Sequence, residues 1–185
     1  MDTELAPYWI DAWARNYTIL IDTCSVMQST FQTVVDTFSA SLKKYRRKLI
    51  VPECAIKELK KIAKEDSKRG ELSGQALDLI ARYREEGLIE IRTGIPDGYR
   101  PDEYFLSYAP NRVFEKIMFI TQDTLLARDL LAFNGSGSCL GNFIKVKRIT
   151  DEGTLKNFDI SHDVKKQVPK PKATNAGEIL KQLGF

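Results

Sequence analysis

The chain has 185 residues, 43% of them hydrophobic and 29% charged, with a formal net charge of +3. That composition fits one soluble domain with its own core rather than a disordered chain, and no apolar run nears the roughly 20 residues of a membrane helix. A single histidine, His162, and three cysteines without ligand-like spacing exclude a His/Cys zinc centre and weigh against a Ser-His-Asp triad. Cys24, Cys54 and Cys139 read as reduced thiols of a cytoplasmic protein. The first residues, MDTELAPYWIDAWARN, are mixed and carry acids, unlike a secretory signal.

The elements alternate along the chain. Pro7 to Ala14 reads as a short helix carrying Tyr8, Trp9 and Trp13. Its two tryptophans stand four apart on one face, where packing onto the domain is the plain reading and an interface the alternative. Tyr17 to Ile21 is a short apolar run rich in β-branched residues, and Lys48 to Pro52 is another. Leu88 to Arg92 alternates apolar and polar residues, as a strand nearer a sheet edge does, and Phe143 to Ile149 alternates in a rougher way. Ile117 to Thr121 is apolar until its last residue. Between these runs, helical spacing predicts helices over 31–45, 53–63, 74–86, 104–115 and 124–133. Gly87 closes the third of these, and Pro110 bends or breaks the fourth. Strand and helix in repeated alternation argue for a parallel sheet covered on both faces. From His162 onward, KKQVPKPKATNA reads as a basic linker.

Three phrases carry an acid where chemistry could gather: ILIDTCS with Asp22, VPECAIKEL with Glu58 and FITQD with Asp123. Asp22 and Asp123 each follow an apolar strand, and the carboxyl ends of parallel strands line the ligand crevice of open sheets. Each could equally cap the helix that follows. Glu58 has Cys54, Ala55, Lys61 and Ile62 as its helix neighbours, so it borders an apolar stripe and needs a partner. A metal ion would serve, and a salt bridge to Lys61 is the plain alternative. Asp129 has apolar residues three and four positions away, with a salt bridge again the alternative. Asp102, after Pro101, is the best candidate for a further acid at a helix start, while Asp97 in IPDG reads as a turn residue. Carboxylates gathered from distant segments suit Mg²⁺ or Mn²⁺, which prefer oxygen ligands and support phosphodiester hydrolysis.

Residues 43–69 hold eleven Lys or Arg against four acids. A solvated helix face is the plain reading of such a run. A phosphate-facing surface is the sharper one, with Lys57, Lys60, Lys61 and Lys64 as candidate nucleic-acid contacts. Other phosphoryl-transfer folds fit less well. A haloacid-dehalogenase-type phosphatase wants an acid where Cys24 stands, a receiver domain wants an acidic neighbour for Asp22, and a dinucleotide binder wants its glycines after the first strand rather than in GSGSCLG.

In that order and at those strand ends, IDTCS, VPECAIKEL, an Asp before a helix and FITQD resemble the PIN-domain nucleases over about residues 17–149. The resemblance implies a three-layer α/β/α fold with a mainly parallel sheet. It also implies an endoribonuclease dependent on Mg²⁺ or Mn²⁺, with Asp22, Glu58, Asp102 and Asp123 as its catalytic and metal-binding acids. Asp129 would be an additional ligand, and Ser25 and Thr121 match small hydroxyl positions near the metal. The expected partition is a helical extension over 1–16, the nuclease domain over 17–150 and a basic tail over 151–185. RNA is the expected partner. Many bacterial members resemble toxins of toxin–antitoxin pairs, so an antitoxin or other inhibitor protein and a homodimer stand as alternatives, with no membrane involved. A catalytically silent PIN-like module that binds RNA or protein is the competing function.

Overall fold

The computed structural model of the protein describes residues 7–110, 112, 115–135 and 144–158. The predicted helix over 104–115 therefore runs partly outside the described residues, and Cys139, the GSGSCLG stretch, His162 and the basic linker lie wholly outside them.

Four short strands, β1 (Thr18–Ile21), β2 (Leu49–Pro52), β3 (Ile89–Arg92) and β4 (Ile117–Ile120), are joined by β5 (Ile144–Ile149) and β6 (Leu155–Asn157) in one sheet of order β3-β2-β1-β4-β5-β6. All neighbours pair parallel except β5 with β6. Among the described residues, seven helices cover the sheet: α1 (Pro7–Asn16), α2 (Thr23–Val26), α3 (Phe31–Tyr45), α4 (Glu53–Ile62), α5 (Lys68–Glu85), α6 (Pro101–Tyr108) and α7 (Thr124–Ala132). The fold is a three-layer α/β/α sandwich on a mostly parallel sheet.

The strand order explains the layers. From β1 the chain winds outward through β2 to β3, then crosses back to β4 on the other side of β1. Right-handed crossovers in opposite directions put their helices on opposite faces. Accordingly α1, α3, α4 and α5 pack with Ile19, Ile21, Val51, Ile89 and Ile120 on one face. Among the described residues, α6 and α7 are the helices that pack with Leu20, Ile50, Phe119 and Val146 on the other. The central strands TILI, LIVP and IMFI are buried almost throughout because both faces are covered. At the edge, β3 reads IEIR: Ile89 and Ile91 turn to the heavily covered face, while Glu90 and Arg92 turn to the lightly covered one.

Local signals set most boundaries. Gly87 ends α5 with φ 75°, a left-handed conformation glycine holds without strain. The helix α5 starts earlier than the spacing predicts, because Ser67 caps it by accepting the Gly70 amide at 3.1 Å. Helix α6 ends before Pro110. The segment after Thr150, expected as the start of a tail, turns back to add β6.

Helix α1 is packed into the core through Ile10, Trp13 and Ala14, whereas Trp9 stays half exposed. Trp13 is held from the sheet side by Lys147, whose Nζ lies 4.5 Å from the ring centroid and donates to Asn157 Oδ1 at 2.6 Å. Burial first, then the charge of Lys145, pulls the Lys147 ammonium down to about 8 from its ordinary 10.5. A lysine pKa depressed by folding leaves the unfolded chain with more bound protons across that interval, so its contribution to stability rises with pH from about 8 to 10.5. Thermal unfolding of Lys147→Met beside the parent should show the parent gaining on the variant across that window. Parallel pH curves would contradict the buried, destabilised charge.

Candidate metal centre

The site lies where the winding direction reverses. Parallel sheets open a crevice at the carboxyl ends of the two strands flanking such a reversal, and here these are β1 and β4. Asp22 directly follows β1 and caps α2, and Asp123, three residues beyond the end of β4, caps α7.

Asp22 continues the ladder: its amide donates to Ile120 O at 3.0 Å. Its side chain is buried and receives three donors. Oδ1 accepts the Thr23 amide at 2.7 Å, and Oδ2 accepts the Cys24 thiol at 2.6 Å and the Thr121 hydroxyl at 2.9 Å. Thr121 Oγ1 in turn accepts the Asp123 amide at 3.0 Å, so one hydroxyl ties both strand ends together. Cys24 also accepts the Gln122 amide through Sγ at 3.2 Å. Burial, then the negative charge of Asp22, pushes the Cys24 thiol up to about 12, so it acts as a neutral donor and not as a thiolate.

Glu58 lies on α4, half-buried, and accepts the Thr23 hydroxyl at 2.7 Å. No salt bridge joins it to Lys61 among the described residues. Thr23 thus uses its amide on Asp22 and its hydroxyl on Glu58, coupling β1 to α4 across 35 positions of sequence. Asp123 accepts the Leu125 and Leu126 amides at 2.7 and 3.0 Å, both through Oδ1. Asp102 is half-buried in the first turn of α6, where Glu103 accepts the Arg100 amide at 3.0 Å.

Electrostatics join the acids. Burial raises the Asp22 carboxyl above its ordinary value despite the Cys24 and Thr121 hydrogen bonds, and the charge of Asp102 raises it further. Burial also raises Asp102, followed by the charge of Asp123 and, after the opposing effect of Arg100, that of Glu58. Asp102 therefore lies within electrostatic reach of Asp22, Asp123 and Glu58, although the four come from separate segments.

Asp129 is exposed and bound to Arg128 at 2.9 Å, away from the buried Leu126, Ala127 and Leu130. Its apolar neighbour Leu125 is itself 51% exposed, so apolar neighbours did not mark the core face. Asp97 projects fully into solvent and pairs with Lys57 at 3.2 Å, which leaves Asp102 as the further acid. Lys57 also lies 3.7 Å from Glu53, while Lys60 and Lys61 stand exposed on α4 and Lys64 is exposed in the turn after it. Ser25 is buried, and its Oγ has no hydrogen-bond partner among the described residues. Thr23 and Cys24 are positioning residues that the sequence reading did not single out. Their signal was their place directly after Asp22, in the first turn of the helix it caps.

Among the described residues, no three Asp, Glu, His or Cys side chains are drawn together to hold a metal ion as they stand. The donor chemistry nevertheless fits a hard divalent cation. A carboxylate has about four lone-pair sites, and the donors above occupy three at Asp22, one at Glu58 and two at Asp123. Acceptor capacity remains at each of these three, and burial leaves the Asp22 and Asp102 carboxyls harder to ionise than usual. Compared with known proteins, the chain matches no family model and no curated protein. No helix among the described residues is long and apolar enough to cross a membrane.

The raised carboxyls give a signed expectation. A folded-state carboxyl above 3.8 favours folding most at low pH, and that contribution is lost as pH rises from 3.8 through the raised value. Asp22→Asn should flatten this acid-side decline in the thermal midpoint and match or exceed the parent's stability at neutral pH. A variant markedly less stable than the parent at neutral pH would contradict an Asp22 charge that is costly to bury.

Proposed function

We propose that the chain is a divalent-metal-dependent endoribonuclease of the PIN-domain type. The observation that supports this reading is the placement of Asp22 and Asp123 beyond the carboxyl ends of β1 and β4, with Asp102 within electrostatic reach of Asp22, Asp123 and Glu58. A group of four carboxylates has little use in a fold unless something positive offsets it.

Asp22, Glu58, Asp102 and Asp123 would hold Mg²⁺ or Mn²⁺, which when bound supplies an acidified water as nucleophile and stabilises the departing oxygen of a phosphodiester. The chain's own residues prepare the site. Thr121 and Cys24 fix Asp22 by hydrogen bonds to Oδ2, and Thr23 orients Glu58 from the same short turn. The backbone of α7 fixes Asp123 through Oδ1, leaving Oδ2 without a hydrogen bond among the described residues. Asp22 and Asp102 retain protons to higher pH than ordinary carboxylates, so metal and proton compete there and metal affinity rises with pH.

The test pairs cleavage with binding. The purified parent should cut labelled RNA only with Mn²⁺ or Mg²⁺, and Mn²⁺ should raise its thermal midpoint. Asp22→Asn should lose both, with cleavage falling on the order of a hundredfold or more. Equal cutting by parent and variant would refute the assignment. The competing reading, a catalytically silent RNA-binding module, is favoured by the absence of a closed ligand cluster among the described residues. It requires salt-sensitive RNA binding and no metal-dependent cleavage by the parent.

A further inference from the structure

The lightly covered face of the sheet leaves a groove outside the acid cluster. A cleft of about 720 Å³ opens at the amino-terminal ends of the strands, floored by Ile50 and Glu90 and rimmed by Arg46, Arg47, Lys48 and Lys116. A second cleft of about 380 Å³ continues along β3 to Tyr99 and Tyr104. Both are lined by Arg92, Tyr108 and Arg112, so they form one path. Its cause is topological: among the described residues α6, with eight residues, is the only helix between β3 and β4, whereas α4 and α5 together serve the crossover from β2 to β3.

The charges along this path are uneven. Arg92 is paired with Glu90 at 2.7 Å, and Arg112 with Glu115 at 3.2 Å, so these walls are close to neutral. Arg46, Lys48 and Lys116 have no ion pair among the described residues, and Arg47 donates only to Tyr17 O and Thr18 Oγ1. Arg46 moreover adopts φ 53°, the one left-handed non-glycine residue among those described. Glycine would hold that helix end at lower cost, so an arginine there marks a cation retained against backbone preference. At the other end Tyr99 is 40% exposed. Tyr104 stands on α6, the helix that carries Asp102, so this end of the path lies on the element that also supplies an acid.

We propose that this groove is a track for single-stranded RNA, with phosphates held at Arg46, Lys48 and Lys116 and a base stacked on Tyr99. Cations with no ion pair among the described residues line one end and an exposed ring lines the other, with Arg92, Tyr108 and Arg112 shared between the two clefts. That layout matches a strand whose backbone follows a basic channel and whose bases stack on aromatic rings. A compact polyphosphate would need the cations alone. The track rests on the nuclease reading only for its direction toward Asp102; RNA binding itself does not depend on cleavage. It also moves the expected nucleic-acid surface from the α4 lysines, where Lys57 is already paired, to the opposite face of the sheet.

The test uses the full chain carrying Asp22→Asn, so that the probe is not consumed, and fluorescence anisotropy with a short labelled oligouridylate in EDTA. Combining Lys48→Ala with Lys116→Ala should weaken binding about tenfold and reduce the log-affinity against log-salt slope by about 0.7 per cation removed. Tyr99→Ala, which leaves the charge unchanged, should weaken binding about tenfold with the salt slope intact. Lys60→Ala with Lys64→Ala should change little, and circular dichroism checks that each variant folds. Unchanged affinity in the groove variants would overturn the track. So would equal binding of duplex RNA, or competition by tripolyphosphate combined with indifference to Tyr99→Ala. RNA bound in the groove by a parent that never cuts would leave the track standing and remove the nuclease reading. Cutting by a parent whose groove variants bind RNA normally would do the reverse.

Discussion

The parallel pairing of β1 with both β2 and β4 is the constraint on which the site depends. It places β1 at the centre and reverses the winding there, so the carboxyl ends of β1 and β4 open side by side. The ladder continues one residue past the strand through the Asp22 amide to Ile120 O, and the Thr121 hydroxyl then binds the Asp22 carboxylate from the neighbouring strand. A carboxylate placed there is buried by the sheet it terminates. Its hydrogen bonds offset part of that burial without removing the penalty, because Asp22 remains harder to ionise than an ordinary aspartate. Charge complementarity therefore points to a positive ligand.

The same winding accounts for the molecule's asymmetry. Four helices seal one face of the sheet into a large apolar cluster, and two short helices close only part of the other. Where cover is missing the strand positions become charged, as Glu90 and Arg92 show in alternation with Ile89 and Ile91. The acid cluster and the basic groove are in this sense two products of one topology. The first comes from the reversal at β1, the second from the brief crossover that follows β3.

Much of the fold was legible in the sequence because burial on both faces leaves a compositional trace. TILI, LIVP and IMFI have no polar alternation to confuse, and IEIR announces an edge. Less legible were β6, whose three residues LKN carry no pattern, and the start of α5, where Ser67, Lys68, Arg69 and Gly70 have a loop's composition until the Ser67 cap is seen. The acids at strand ends could be read because position relative to a strand decides their role. Thr23 and Cys24 could not, since which hydroxyl or thiol meets which carboxylate is set by packing between β1, α4 and β4. Asp129 pairs with Arg128, the salt-bridge alternative its sequence position allowed, and its neighbour Leu125 is exposed. The groove was invisible for a similar reason: it depends on how much of the sheet α6 covers among the described residues.

The central claim is that Asp22, Glu58, Asp102 and Asp123 form one divalent-cation site. Crystals of the protein grown with Mn²⁺ and measured for anomalous scattering test it most directly. A manganese peak in the crevice between β1 and β4, ligated by oxygens of at least Asp22 and one other of these acids, is the expected result. A map with no peak there at saturating Mn²⁺, or with manganese bound only elsewhere on the chain, would contradict the account.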